Sequence, residues 1–504
     1  MNDAIIITDS GRKTTPFTPP QRLDALLTAA GMLLPMPCGG RGVCGKCRVI
    51  ASGALESPDD EERALIGSAL TDGVRLACRA IAVGDVQIRV PSATNDRIQT
   101  QGEGALCADD PWSDGLCVAI DIGTTTVAAY CYHADTGERT ACAAAPNPQA
   151  AFGADVISRM EKAEAGQADA LRTAIEDCLR TLIMRLCPPQ HVHAAVITGN
   201  TAMLTLLTGE SPSPLLRAPF HMVQPFGIFI DPKPFGLSAS AKVFLPRCIS
   251  AYVGADITCA LLASGLFAGG LPRQGEPVLL ADIGTNGEIV LSADGRLIAC
   301  STAAGPAFEG AGISMGMTAQ DGAIDSVDVV QGEIRAHVLG GGTARGICGS
   351  GLIDAFAALL DTGKMDETGR LLDGSFRFPG TDVVLTQEDA RKVQLAKAAI
   401  CAGMQTLLSH AGVDESKLER LLIAGGFGTH INPRSAGRIG LIPPSFAAKA
   451  RAIGNAAGMG ASMMALSRAA LKDADAASLA CTTVELAANP VFMEYYMDAM
   501  LFGE

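Results

Sequence analysis

The chain has 504 residues, 48% of them hydrophobic, with 39 Lys and Arg against 53 Asp and Glu and a formal charge of −14. That length implies two or more domains with sizeable cores, and the acidic balance argues against a nucleic-acid partner, which needs basic patches. No stretch approaches the roughly 18 uninterrupted apolar residues of a membrane span.

The first residues, MNDAIIITDSGRK, hold only a short apolar run between acidic residues and read as neither a signal nor a transit peptide. The expected location is therefore cytoplasmic, where thiols stay reduced. The 16 cysteines are then expected as ligands or small core residues rather than crosslinks. Residues 1–92 carry ten basic and ten acidic residues. AIIIT and VQIRV read as strands, and PPQRLDALLTAAG and PDDEERALIGSAL as helices opened by Pro or Asp. Between them, PCGGRGVCGKCRV (37–49) places Cys38, Cys44 and Cys47 in a C-x5-C-x2-C loop, and Cys78 follows in VRLACRA.

Zinc sites commonly use two C-x2-C pairs on separate knuckles, whereas here the fourth cysteine stands alone. A 2Fe–2S cluster takes three thiolates from one loop and one from a distant strand, and that reading is favoured, with zinc as the alternative. Gly39, Gly40, Gly42 and Gly45 suit a loop whose amides turn inward toward cluster sulfurs. Arg41, Lys46 and Arg48 would offset the negative charge. The segment resembles plant- or adrenodoxin-type ferredoxins, which implies a β-grasp fold. The spacing has one residue more between the first two ligands than the plant type, a feature of adrenodoxin-like members.

Residues 93–115 have one Arg against five acids and no apolar periodicity, and read as an acidic flexible linker. Trp112, the lone tryptophan, is expected to pin this linker to a domain surface, with a docking contact as the alternative.

The remaining chain repeats itself. VAIDIGTTTVAAY (118–130) recurs as LLADIGTNGEIVL (279–291), each an apolar strand, an Asp, a Gly-Thr turn and a second strand. Amides and hydroxyls of such a turn can cradle phosphate oxygens, and an Asp at the strand end can hold Mg²⁺ through water. LLIAGGFGTHINP (421–433) adds a strand breaking into Gly425, Gly426 and Gly428, where backbone can approach a flat base or ribose. AAGPAFEGAGI (303–313) is expected to start a helix. Cys348 and the unpaired cysteines are read as core packing, and His191, His193 and His430 as weak candidates for metal or nucleotide contact.

Together these three elements resemble the actin, hexokinase and acetate-kinase superfamily of ATPases. By that resemblance, Asp121, Gly123, Thr124, Thr125 and Thr126 face the γ-phosphate side of Mg²⁺–ATP. Asp282, Gly284, Thr285 and Asn286 face the opposite side, with Asp121 and Asp282 as the catalytic pair. Gly425, Gly426, Phe427 and Gly428 border the adenosine, and Glu309 reaches the ribose or is simply solvated.

An amino-terminal 2Fe–2S segment, a linker and this ATPase, with TGNTAM (198–203), YVGADITCALLASGL (252–266), GICGSGLIDAFAALL (346–360) and the closing NPVFMEYYMDAMLF, resemble reductive activators of corrinoid proteins. The resemblance implies an α/β chain: a β-grasp 2Fe–2S ferredoxin domain over 1–92, the linker over 93–115, and a two-lobed actin-like (ribonuclease H-like) ATPase domain over 116–504. Lobe 1 would span about 116–272 and lobe 2 about 277–440, with helices in 441–504 returning toward lobe 1. It also implies ATP-dependent reduction of the cobalt(II) corrinoid of a methyltransferase corrinoid protein to cobalt(I), fed by a low-potential donor; a homodimer is compatible with it. Larger relatives insert a middle domain between ferredoxin and ATPase, for which 93–115 is too short. Two other functions fit the same parts: a ferredoxin-fused small-molecule kinase, and an activator of radical dehydratases.

Overall fold

The computed structural model describes residues 2–8, 11–30, 32, 34, 36, 40, 42, 45, 47–90, 106, 110–426 and 431–503. Two compact units emerge: one of 1–95 with 147–175, the other of 96–146 with 176–504.

In the first unit the sheet runs Gly11–Phe17, Asn2–Thr8, Ile81–Arg89, Arg48–Leu55, Val74–Leu76, with Gln21–Arg22 also on Ile81–Arg89. Asn2–Thr8 pairs parallel with Ile81–Arg89, so the first and last strands share the centre, and their other neighbours are antiparallel. Period-two alternation sends Ala82, Val86 and Ile88 inward beside Ala4 and Ile6. The helix Leu23–Ala29 adds Leu23, Leu26 and Leu27, spaced three and four apart, to the same core. Each fully buried Leu or Ile stabilises by about 1.5–3 kcal/mol. The helix Asp60–Ile66 starts where Asp59 accepts a hydrogen bond from Glu62 N–H at 2.7 Å. Its Glu62, 1% exposed, holds Arg75 through two bonds of 3.1 and 2.9 Å and takes a third from Leu76 N–H at 2.6 Å, fixing the strand just ahead of Cys78. Residues 147–175 contain the helix Val156–Lys162, opened by a capping box on Asp155.

The second unit is built on two six-stranded sheets of one plan. The first runs Ile228–Ile230, Lys242–Leu245, Val192–Gly199, Leu116–Ile122, Thr126–His133, Arg139–Pro146. The second runs Ala450–Gly454, Arg420–Ala424, Val278–Ile283, Gly287–Ala293, Arg296–Thr302, Cys481–Thr483. In each, a three-stranded antiparallel meander is extended by parallel strands from its first member. The sequence repeat is the hairpin of each meander. The helices Ala255–Ala263 and Ala456–Leu466 share a core with apolar residues of both sheets, among them Ala119, Val196, Leu280 and Leu422. They approach so closely that a Cβ on Gly460 would lie 2.0 Å from the Cys259 carbonyl oxygen; this crossing requires glycine.

The far face of the second sheet buries the helices Gly349–Asp361 and Gln387–Ala411. The helix Pro490–Asp498 lies along the latter rather than returning to the first sheet. The reason is Lys397, fully buried, whose ammonium donates to the Ala499 and Leu501 carbonyls at 2.6 and 2.5 Å with the Phe502 ring 4.8 Å away. Most of the acidic linker lies outside the described residues. At its described end Trp112 is 7% exposed and donates from Nε1 to the Met464 carbonyl at 2.8 Å, while Asp110 accepts from Ser467 and Ala469. Among the described residues no helix is long and apolar enough to cross a membrane.

Candidate functional site

In the first unit, Cys47 ends the glycine loop and Cys78 sits in the turn after Val74–Leu76, tied back by Ala77 N–H donating to the Cys47 carbonyl at 2.8 Å. Both are buried and their sulfurs are 3.3 Å apart. Two thiolates on one tetrahedral metal, with bonds of about 2.3 Å, lie roughly 3.7 Å apart, so this pair fits a shared iron after a small separation. Cys38 and Cys44, and the charges of Arg41 and Lys46, lie outside the described residues. The hydrogen bond between the two sulfurs, against the opposing effect of burial, draws the Cys47 thiol down to about 7. Gly40, Gly42 and Gly45 all have positive φ, as an inward-turned loop requires. The Arg79 guanidinium donates to the Gly42 carbonyl at 3.4 Å, and that of Arg48 to the Gly45 carbonyl at 2.9 Å. A Cβ on Gly42 would lie 2.4 Å from Arg79. Arg22, ion-paired with Asp24, faces both thiols electrostatically. Arg22 and Arg79, distant in sequence from the loop, thus supply charge that the loop sequence alone did not reveal.

In the second unit, Asp121 and Asp282 are each the penultimate residue of the first meander strand, opposite Thr198 and Ala424 of the neighbouring parallel strands. Ligands of open α/β sheets gather at such strand ends. Both hairpins close tightly, Gly123 N–H donating to the Thr126 carbonyl and Gly284 N–H to the Asn286 carbonyl, each at 2.9 Å. Asp121, Gly123, Thr124, Thr125, Thr126, Asp282, Gly284, Thr285, Asn286, Glu309, Gly425 and Gly426 line one cleft. Phe427, Gly428 and His430 lie outside the described residues. Gly425 is at φ +102°, and a Cβ there would stand 2.7 Å from an Asp282 carboxylate oxygen; the glycine lets the two segments meet.

Glu309 ends a short 3-10 turn, Pro306–Glu309, not the start of an α-helix. Gly310 stops it with φ +76°, its backbone pressed against Met317. The Glu309 carboxylate accepts from the Thr285 hydroxyl at 2.5 Å, so it belongs with the second hairpin. Cys348 is buried, as expected, at the N-cap of Gly349–Asp361 and also faces the cleft. Further cleft residues escaped the sequence reading: Asn200, Asp256, Glu288, Ser350 and Asn455. Asn200 donates to the Thr124 hydroxyl at 3.3 Å, and Asn455 to Asp121 at 3.0 Å.

Burial raises Asp121, Asp256 and Asp282 each to about 7; Asp282 adds to the rise at Asp121, which the Asn455 hydrogen bond partly relieves, Asp121 adds to that at Asp256, and Asp256 and Glu309 add to that at Asp282. Glu288 is driven up by the same burial and by Asp256 and Asp282. The half-buried carboxyls of Asp121, Asp256 and Asp282 stand among threonine hydroxyls and hairpin amides, groups that can meet phosphate oxygens; among the described residues no three His, Cys, Asp or Glu side chains converge closely enough to hold a metal ion by themselves. His193, in contrast, is taken up by Asp114 at 2.7 Å.

Fold and site define the class: a β-grasp ferredoxin-type unit joined to an actin-like body with an acidic, two-hairpin cleft. Comparison with known proteins agrees. A model of the 2Fe–2S iron–sulfur cluster binding domain matches residues 7–83, one of the "RACo middle region" matches 116–268, and one of the "C-terminal domain of RACo the ASKHA domain" matches 276–504. A "Corrinoid activation enzyme RamQ" of Eubacterium limosum is 35% identical over 423 residues, covering 77% of this chain and 70% of that one. A "[Co(II) methylated amine-specific corrinoid protein] reductase" of Methanosarcina barkeri is 26% identical over 421 residues, 75% of this chain and 76% of its own. A solved "Reductive activator for corrinoid,iron-sulfur protein" superposes with a TM-score of 0.70 at 26% identity, covering all of this chain and 98% of its own. The chain belongs to the family of reductive activators of corrinoid proteins. Residues 116–268, which carry the first sheet and its hairpin, are the part matched by the middle-region model.

Proposed function

We propose that this chain is an ATP-dependent reductive activator that returns the cobalt(II) corrinoid of a methyltransferase corrinoid protein to cobalt(I), in a reducing compartment such as the cytoplasm. In this reading Cys38, Cys44, Cys47 and Cys78 hold a 2Fe–2S cluster, which supplies a one-electron carrier of low potential, about −400 mV for the plant type. An upstream low-potential donor fills it. Asp121 and Asp282 fix the water shell of Mg²⁺ while the two hairpins hold the phosphates of ATP, and Gly425 and Gly426 border the nucleoside. A cobalt couple 100–200 mV below the cluster would ask for roughly 2–5 kcal/mol per electron, within reach of a nucleotide that binds two conformations unequally.

The observation that carries the reading is the pairing, in one chain of this family, of a juxtaposed buried thiol pair with a cleft whose carboxyls are raised by burial and, after that, by neighbouring carboxyls. Among its described lining residues the cleft has no Lys or Arg to offset those carboxyls. The test is ATP turnover with increasing corrinoid protein in its cobalt(II) and methylated forms. Acceleration by the cobalt(II) form is expected, and the factor by which that partner changes nucleotide affinity should equal the factor by which nucleotide changes affinity for the partner. Equal rates with both forms and with neither, alongside phosphorylation of a small alcohol or acid, would favour a kinase instead.

A further inference from the structure

Asn455 occupies a singular place in the second unit. It follows Ala450–Gly454, the edge strand of the second sheet, and opens the helix Ala456–Leu466, which packs on the first sheet. At this crossing its side chain meets Asp121, which belongs to the first sheet and lies 334 positions earlier.

Every hydrogen-bonding position of the amide's nitrogen, and its oxygen, is engaged. Oδ1 accepts from Gly458 N–H at 2.7 Å, capping the helix. Nδ2 donates to Asp121 Oδ2 at 3.0 Å and to the Tyr130 hydroxyl at 3.2 Å. The orientation of the amide is dictated by chemistry: the oxygen must face the Gly458 N–H, which leaves both N–H bonds for the two oxygens. Tyr130 is fixed in turn, because its ring edge and hydroxyl lie against Gly458, where a Cβ would stand 2.7 and 3.0 Å away. Asn455 is 8% exposed, and Asp121 has no cationic side chain hydrogen-bonded to it among the described residues. A half-buried carboxylate gripped by one oriented donor has its rotamer chosen for it.

We infer that Asn455 is a positioning residue: it sets the Asp121 carboxylate for the cation–nucleotide from the opposite sheet, so that the two halves of the cleft must be in register for Asp121 to act. This rests on the reading of the cleft as an ATPase. Such a residue works through alignment at the reacting phosphate more than through ground-state binding, so its loss should fall on kcat more than on KM.

The test is phosphate release from Mg²⁺–ATP by the full-length protein. Asn455→Ser keeps an oxygen that can cap Gly458 N–H but is too short to reach Asp121. Its melting temperature should stay near that of wild type, with kcat at least tenfold lower and KM for ATP within about threefold. In an Asp121→Ala background the same change should subtract little more, because a residue acting only through Asp121 has nothing left to align. Asn455→Asp, also a good cap, opposes one carboxylate with another and should lose at least as much. A wild-type kcat in both Asn455 variants, or losses that add fully to those of Asp121→Ala, would overturn the positioning role while leaving the ATPase reading standing. A wild-type protein that neither binds Mg²⁺–ATP nor releases phosphate would overturn both. Should Asn455→Ser prove unstable, Asn455→Asp and the double-variant comparison decide alone.

Discussion

The two functional regions approach neutrality from opposite directions. Beside the cluster loop, the hydrogen bond between the two sulfurs draws the Cys47 thiol down to about 7, and Arg22 and Arg79 lie close by, each ion-paired with carboxylates. In the cleft, burial pushes Asp121, Asp256 and Asp282 up to about 7, and they raise one another further. The first environment favours the anionic form of Cys47, the form in which a thiol can ligate a metal. The second disfavours its own charge until a cation arrives, which suits an occupant that comes and goes.

The sharpest way to break this contrast is to remove one side and watch the other. Cys44→Ser or Cys78→Ser should abolish the visible 2Fe–2S absorbance altogether and leave ATP turnover within about twofold in the absence of partner. A full complement of iron with an unchanged spectrum would show the ligand assignment to be wrong. Conversely, Asp121→Ala or Asp282→Ala should each lower Mg²⁺–ATP turnover by about a hundredfold or more, since each removes a carboxylate placed for the metal's water shell, with the cluster spectrum intact. Wild-type hydrolysis in both would sink the two-hairpin site.

A finer comparison tests the charge on each side. Arg79→Gln removes a cation beside Gly42 and Cys78 and should lower the cluster potential by roughly tens of millivolts, read by redox titration; no shift would mean that Arg79 only braces the loop. In the cleft, Asp256 is raised, so the folded chain retains a proton that the unfolded chain releases as pH climbs from about 4 to about 7. Its contribution to stability is therefore lost with rising pH. Asp256→Asn should melt roughly 1–3 °C above wild type at pH 8 without nucleotide, show about a third of that gain at pH 5 and none below about pH 4. An equal gain at all three values would show that the carboxyl is not charged against its surroundings.

Much of this contrast was legible in sequence, and the reason is local. The cysteine loop and both Asp-Gly-Thr hairpins are contiguous motifs whose turn chemistry is written in adjacent residues, and Cys78 stands out as the fourth thiol. The rest depends on distance. Asp256 and Glu288 are single acids within apolar runs, and Asn455 starts a helix of small residues 334 positions from its partner; nothing nearby marks them. Glu309 was visible, but the helix expected to start there was not formed, because Gly310 ends the turn after four residues with the Glu309 carboxylate on the Thr285 hydroxyl. The course of Pro490–Asp498 depends on buried Lys397, whose carbonyl partners lie about a hundred positions away in sequence.

The central claim is that ATP at the cleft and the electron at the cysteines act on one cobalt. Its most direct test is to mix a cobalt(II) corrinoid protein with this chain and a low-potential reductant and to follow the cobalt(I) absorbance, with and without Mg²⁺–ATP. The account predicts that cobalt(I) accumulates only with ATP and the intact protein, and not with Cys78→Ser or Asp282→Ala. Equal cobalt(I) without ATP, or with the cysteine variant, would contradict it.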